Sequence, residues 1–339
     1  MTEPKIATSV YARTDLGKTR EINEDTFLVA DLSSGRSRIE SELAECHVGP
    51  RGLLFLVADG MGGAAAGELA SAMAADLIYG HLIGTWSKEP EEEVTEDRFT
   101  LRLREAVELA NLQIHSYAKD HPDLRGMGTT ATVAGVFGTS LYFAQVGDSR
   151  AYVVRHGKAV QLTRDQSLTQ RLVDAGEMTE EQAETSARRN IILQALGPDA
   201  KISVELSYEK LRRGDTLILC SDGLSGQVKR EEIAEMVSTQ PDLERLGKSL
   251  IALANERGGP DNITVVLARF EGEGLQPADE AGLEYHQYPT SAEQEEAALP
   301  PVESVRAPVA TPRLGSPIGM ALLVVGSIVV LLALFFALV

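Results

Sequence analysis

Two pairs of apolar runs in this chain are joined by turns too short to hold a crossover. Phe137-Gly138-Thr139-Ser140 links Thr132–Phe137 to Leu141–Gln145, and Arg155-His156-Gly157-Lys158 follows Ala151–Arg155. Parallel neighbours need a connection of about a dozen residues or more, so these runs are expected to form antiparallel hairpins. Leu53–Ala58, Thr216–Cys220 and Ile263–Phe270 are short runs of the same kind, bounded by Gly, Asp or Asn. Helical patterns occupy Ala65–Ile83 and Phe99–Lys119. In the second, Leu101, Ala106, Leu109, Leu112 and Ile114 fall near a 3.6-residue period. The expected class is α+β, with mainly antiparallel sheets and added helices.

Composition narrows the function. With 43% apolar and 24% charged residues, the chain is neither wholly disordered, collagenous nor a polytopic membrane protein. Its 32 basic and 50 acidic residues leave a charge of −18, which offers no footprint for nucleic acid. Two cysteines, Cys46 and Cys220, are too few for a disulfide framework and lack zinc-site spacing. The N-terminal segment has no apolar stretch of the signal-peptide kind.

The chain divides by composition. The globular part is expected over 1–270. Glu271 to Pro300 holds eight acids and no Lys or Arg, and prolines continue to Pro317, so 271–317 is expected to be an acidic flexible linker. Ile318 to Val339 carries no charge. Its 22 residues would reach about 33 Å as a helix, enough to cross a hydrocarbon core of ~30 Å. A single-pass anchor is expected there, and Arg306 and Arg313 on its near flank place the preceding domain on the cytoplasmic side of the cell membrane.

The acids sit in a pattern. Leu53–Ala58 runs into Asp59-Gly60, and Leu141–Val146 into Gly147-Asp148. Thr216–Ser221 runs into Asp222-Gly223. Asp261-Asn262 precedes Ile263–Leu267, and Asn23-Glu24-Asp25 precedes Phe27–Val29. One Asp-Gly after a strand makes a turn. Several such aspartates, on strands lying side by side, would converge on one edge of the core. Converging carboxylates raise each other's pKa unless cations sit among them. Hard oxygen donors suit Mg²⁺ or Mn²⁺, and two such ions can activate a water to attack phosphorus.

Arg20-Glu21-Ile22-Asn23-Glu24-Asp25, Val57-Ala58-Asp59-Gly60-Met61-Gly62-Gly63, Gly128-Thr129-Thr130, Val146-Gly147-Asp148-Ser149-Arg150, Ser221-Asp222-Gly223-Leu224 and Gly259-Pro260-Asp261-Asn262 together resemble the ordered motifs of the PPM/PP2C family. These are metal-dependent protein serine/threonine phosphatases, and the bacterial branch is the most similar. The resemblance covers Ile6 to Phe270. It implies an α/β/β/α sandwich of two mainly antiparallel sheets flanked by helices. It also implies two ions, Mn²⁺ or Mg²⁺. Asp59 would bridge them, the Gly60 carbonyl would bind one, and Asp222 and Asp261 would hold the other. Asp25 and Glu24 match acids that hold the metals and their waters, Asn262 supports them, and Asp148 matches the ligand of a third, weaker ion. Arg20 matches the arginine that grips the substrate phosphate. Arg20, Asp59 and Asp222 are thus the expected catalytic residues. Phosphorylated proteins are the implied substrates and a Ser/Thr kinase the implied counterpart.

Departures and rival readings remain. Ala64 stands where many bacterial members have His, and no motif offers a side-chain general acid; a metal-bound water is left to protonate the leaving oxygen. Ser33–Gly52, with Cys46 and His47, reads as a surface insertion. Ser167–Arg189 reads as a helical hairpin with a capping box at Thr179 and a stop at Gly176, placed like the family's flap. Arg188 and Arg189 there either meet substrate or are simply solvated. Gly128-Thr129-Thr130 is expected to pack at a strand start. Gly60–Ala65 fits a dinucleotide fingerprint, but Asp59 would repel a pyrophosphate and the following acidic strand end is missing. Cys220 lies in an apolar run without a following Arg loop, as a core cysteine would. The main alternative to the enzyme is a pseudophosphatase that binds phosphoproteins as a membrane scaffold.

Overall fold

The computed structural model describes residues 6–34, 43–62, 66–278 and 282–289. The first half of the chain forms β1 (Ala7–Asp15), β2 (Asp25–Asp31), β3 (Leu43–His47), β4 (Leu53–Met61), α1 (Ala66–Gly84), α2 (Glu96–Asp120), β5 (Gly128–Thr129), β6 (Ala131–Phe137), β7 (Ser140–Val146), β8 (Arg150–Arg155) and β9 (Lys158–Gln161). Then come α3 (Leu168–Asp174), α4 (Glu180–Thr185), β10 (Glu205–Lys210), β11 (Thr216–Cys220), α5 (Asp222–Ser225), α6 (Arg230–Thr239), α7 (Leu243–Glu256), β12 (Ile263–Glu271) and β13 (His286–Gln287).

The strands build two sheets. One has the order β3-β1-β12-β11-β8-β9, the other β13-β10-β7-β6-β4-β2, with β5 paired to β4. Every ladder is antiparallel. Both short turns close hairpins as expected: Phe137 faces Ser140 and Arg155 faces Lys158. His156 and Gly157 carry φ of 50° and 73°, the positive pair that a two-residue turn of this hand requires.

Side-chain alternation explains the long apolar runs. Along β4, Leu53, Phe55 and Val57 point between the sheets, while Leu54, Leu56 and Ala58 point to α1 and α2. Along β12, Val266, Ala268 and Phe270 face the inter-sheet layer, and Ile263, Val265 and Leu267 face α7. A strand covered on both faces has no polar face to alternate with. Three apolar layers therefore stack between helices, two sheets and helices, the α/β/β/α sandwich.

The helix boundaries and strand ends correct the sequence reading in detail. The second helix begins at Glu96, where Thr95 caps it by accepting from Arg98 N. Its buried face is Phe99, Leu103, Ala106, Val107, Ala110 and Ile114. That stripe shares Ala106 and Ile114 with the expected one and differs elsewhere, and Phe99 at its start packs in a ring cluster with Trp86, Phe137 and Tyr142. Within Ser33–Gly52, Leu43–His47 is an edge strand on β1, so the described end of that segment belongs to a sheet. The capping box at Thr179 and Gln182 forms, and Gly176 takes φ of 72° after α3. Cys220 is fully buried in the core.

Order also continues past Phe270. Leu275 is buried between the sheets, β13 pairs with β10, and the Tyr288 ring packs edge-on against Tyr142 and Tyr208. The aromatics supply burial that the acidic average of 271–300 conceals. The first compact unit accordingly runs over 1–298. Ala64, the rest of the expected linker and the expected span at 318–339 lie outside the described residues. Among the described residues no helix is long and apolar enough to cross a membrane.

Candidate active site

Antiparallel register puts the acids on one edge. β1 ends opposite the start of β12, with Asp15 facing Ile263; the end of β11 faces the start of β8, with Cys220 opposite Arg150. In the other sheet, β2 starts where β4 ends, and Asp25 lies directly across from Asp59. Asp261, Asp222, Asp148, Asp25 and Asp59 therefore gather at the same end of the two sheets. Asp59-Gly60 is part of β4 and Asp222 opens α5. Neither is the simple turn that an isolated Asp-Gly suggests.

Asp25 is buried at the start of β2. Its Oδ2 accepts from Ser221 Oγ at 2.8 Å and from Thr264 Oγ1 at 2.6 Å. Burial raises its pKa from 3.8 to about 7, against those hydrogen bonds and with the repulsion of Asp222 and Asp261 added. Burial likewise holds Asp59 well above the carboxylate range, with Asp25, Asp222, Asp148 and Asp261 all pushing the same way. Asp148 rises to about 8 through burial and the charges of Asp222 and Asp165, which Arg150 partly offsets. Asp222 is raised too, by burial and the charge of Asp261, against the lowering pull of Arg150 and Arg20. Five acids crowd one edge of the sandwich, and their charges repel one another there.

Three oxygens in this cluster are left over. Glu24 Oε1, Asp148 Oδ1 and Asp222 Oδ1 are buried and accept no hydrogen bond. A buried acceptor without a donor is costly, and three of them in one acidic edge are what bound cations would satisfy. No group of three or more His, Cys, Asp or Glu side chains among the described residues forms a ready cage for one ion. Mg²⁺ and Mn²⁺ also take main-chain oxygens and water as ligands. Gly60 fits this: an added Cβ would lie 2.3 Å from Gly67 O and 2.5 Å from Glu24 O, so only glycine lets the three backbones meet.

The arginine side is built by Asn262, which is 3% exposed. Its Oδ1 accepts from Glu24 N at 2.9 Å, and its Nδ2 donates to Leu16 O and Ile22 O, both at 3.0 Å. One amide thus pins both ends of the loop carrying Arg20. Arg20 Nη2 donates to Asp261 Oδ2 at 2.7 Å, and its Nη1 lies 3.9 Å from Glu24. Nearly half of the Arg20 side chain is exposed, so it reaches past the acids to solvent. Arg150 is not available in that way: its guanidinium clamps Asp165 through Nε and Nη2, at 2.9 and 2.7 Å to Oδ2.

Sequence reasoning missed the supporting hydroxyls. Thr130 Oγ1 accepts from Asp59 N, and Thr129 Oγ1 donates to Asp59 O, both at 2.9 Å. The Gly128-Thr129-Thr130 segment therefore positions a catalytic candidate beyond packing a strand. Ser221 beside Asp222 was adjacent to a quoted acid and could have been inferred; Thr264, two residues into a strand, gave no signal. Arg188 and Arg189 are both exposed.

Residues 42–268 match the family described as Protein phosphatase 2C. The serine/threonine phosphatase Stp of Listeria welshimeri is 36% identical over 255 residues, 75% of this chain and 93% of that one. The crystal structure of the Mycobacterium tuberculosis serine/threonine phosphatase PstP/Ppp superposes with a TM-score of 0.64 at 35% identity, over 78% of this chain and 99% of that one. A crystal structure of the PstP catalytic domain in complex with 2 manganese ions superposes at 0.62 with 34% identity, over the same shares of the two chains. With the fold, the order of the motifs and two thirds of its length in agreement, the chain belongs to the protein phosphatase 2C family of serine/threonine phosphatases.

Proposed function

We propose that this chain hydrolyses phosphoserine and phosphothreonine esters of proteins, with two Mn²⁺ or Mg²⁺ ions held by the acidic edge. The three buried carboxylate oxygens without donors carry the reading. A relative's catalytic domain binding 2 manganese ions supports it. Asp59, the Gly60 carbonyl, Asp222 and Asp261 are the proposed ligands, with Asp25 and Glu24 beside them and Asp148 for a third ion. When bound, the ions would polarise the phosphoryl oxygens and lower the pKa of a water.

The chain's own residues do the rest. Ser221 and Thr264 fix the Asp25 carboxylate, and Thr129 and Thr130 fix the backbone of Asp59. Arg20, exposed and anchored through Asp261, would take two phosphate oxygens by its forked donors and orient the ester for in-line attack. The proposal extends to location and partners. The domain would be tethered on the cytoplasmic membrane face through 318–339, where it would meet membrane-bound phosphoproteins at high effective concentration and oppose a Ser/Thr kinase. The uncharged composition of 318–339 supports this part.

The test is add-back. The full chain, stripped with EDTA, should release phosphate from a phosphothreonine peptide only after Mn²⁺ or Mg²⁺ is restored. Release that persists in EDTA, or a folded chain inert with either ion, would overturn the proposal; inertness with retained phosphopeptide binding would favour the scaffold reading.

A further inference from the structure

The β8–β11 ladder places a cation at the acidic edge. Arg150 opposes Cys220 in its register, so Asp148 and Asp222 each lie two residues beyond that pair, at the same end. The charge of Arg150 pulls the pKa of both acids down. Two residues of extended chain cover about 7 Å, a span that an arginine side chain bridges. Yet Arg150 donates to neither acid. Asp148 Oδ1 and Asp222 Oδ1 are buried without a donor, although a guanidinium so close would ordinarily take a carboxylate by its fork.

Asp165 is what holds it away. Arg150 Nε donates to Asp165 Oδ1 at 3.1 Å and to Oδ2 at 2.9 Å, and Nη2 donates to Oδ2 at 2.7 Å. Nη1 donates to Tyr152 Oη at 3.2 Å, so each guanidinium nitrogen has a partner. Asp165 is itself buried and fixed. Its Oδ1 also accepts from Gln161 Nε2 at 2.7 Å, and that amide donates to Thr163 O at 2.9 Å. The loop carrying Asp165 is sewn to the segment carrying Asp148 and Arg150. Ala151 N donates to Thr163 Oγ1 at 3.0 Å, Gln166 N to Gly147 O at 2.8 Å, and Gly147 N to Gln166 Oε1 at 3.1 Å. With 29% of its side chain exposed, Arg150 is held by these bonds more than by packing.

We propose that Asp165 is a positioning residue that restrains the Arg150 guanidinium and so keeps the Asp148 carboxylate free for a divalent cation. The inference rests on the metal reading above, in which Asp148 takes a third ion. Without Asp165, Arg150 turns to Asp148 and competes with that ion for its oxygens.

The test is calorimetric titration of the EDTA-stripped full chain with Mn²⁺. The step that Asp148→Asn removes identifies the ion at Asp148. Asp165→Asn should weaken that step roughly tenfold to a hundredfold, and change the remaining steps less than about twofold, because the competition is local. Asp165→Asn combined with Arg150→Met should restore the step, since the competing guanidinium is gone. The double variant also strands no buried charge, so it reports where the single variant folds poorly. An Asp165→Asn chain that keeps the step, an equal weakening of every step, or a double variant that fails to regain it overturns the inference. So does a native chain with no step sensitive to Asp148→Asn, which leaves the two-ion reading in place. A folded native chain that binds no Mn²⁺ at all removes the metal reading, and the inference with it.

Discussion

Asp25 and Asp59 face each other across a ladder, and no cation among the described side chains sits between them. For such acids the sign of the pH dependence is fixed. Their folded pKa values lie above the unfolded 3.8, at about 7 for Asp25 and about 8 for Asp148. The native state then binds more protons than the unfolded one between pH ~4 and ~8, and stability falls as pH rises through that window. In EDTA the thermal midpoint should drop from pH 5 to pH 8, and saturating Mn²⁺ should abolish most of the drop. A flat midpoint in EDTA would contradict the crowding. Metal binding should also release protons at pH 6, since the ligands must be ionised; titration in two buffers of different ionisation enthalpy reads the number directly. Asn262→Ala removes three hydrogen bonds from one loop. It should cost about 2 kcal/mol, and raise KM for a phosphopeptide by loosening Arg20; an unchanged KM would deny Asn262 its positioning part.

At the scale of elements, α7 lies on β1 closely enough that Gly247 is required. A Cβ there would fall 2.2 Å from Tyr11 Cε1. Gly247→Ala should destabilise the fold by about 1–3 kcal/mol through overpacking, seen as a lower urea midpoint with little change in metal affinity. Arg155 ties the far ends of β8, β10 and β11 together: Nε and Nη2 donate to Asp215 at 2.9 and 2.8 Å, and Nη2 also reaches Lys210 O. Both side chains are buried, so Asp215→Ala removes two charge-assisted hydrogen bonds, leaves Arg155 with Glu209 Oε1 at 3.6 Å, and should cost about 2–3 kcal/mol. The hairpin turns were legible because two residues leave the chain no other route. β3 and β13 were not, since an edge strand needs a neighbour's ladder more than any pattern of its own. Tyr288 was hidden for a similar reason: its burial depends on Tyr142 and Tyr208, far off in sequence. The acids were legible because each ends or begins an apolar run, while Thr264 and Thr130 matter through contacts that spacing does not encode.

For the whole molecule, antiparallel pairing brings residues 20–25, 59–60, 148, 222 and 261 to one edge of the two sheets. A single substitution in that set should leave the three apolar layers, and therefore the fold, in place. The most direct test is phosphate release from a phosphothreonine peptide as Mn²⁺ is raised, for the native chain beside Asp222→Asn. The native chain should turn over with a saturating dependence on Mn²⁺. The variant, folded and with one repelling charge removed, should be slower by roughly a hundredfold or more. Equal turnover of the two, or turnover indifferent to the metal, would contradict the assignment of this edge as the catalytic centre.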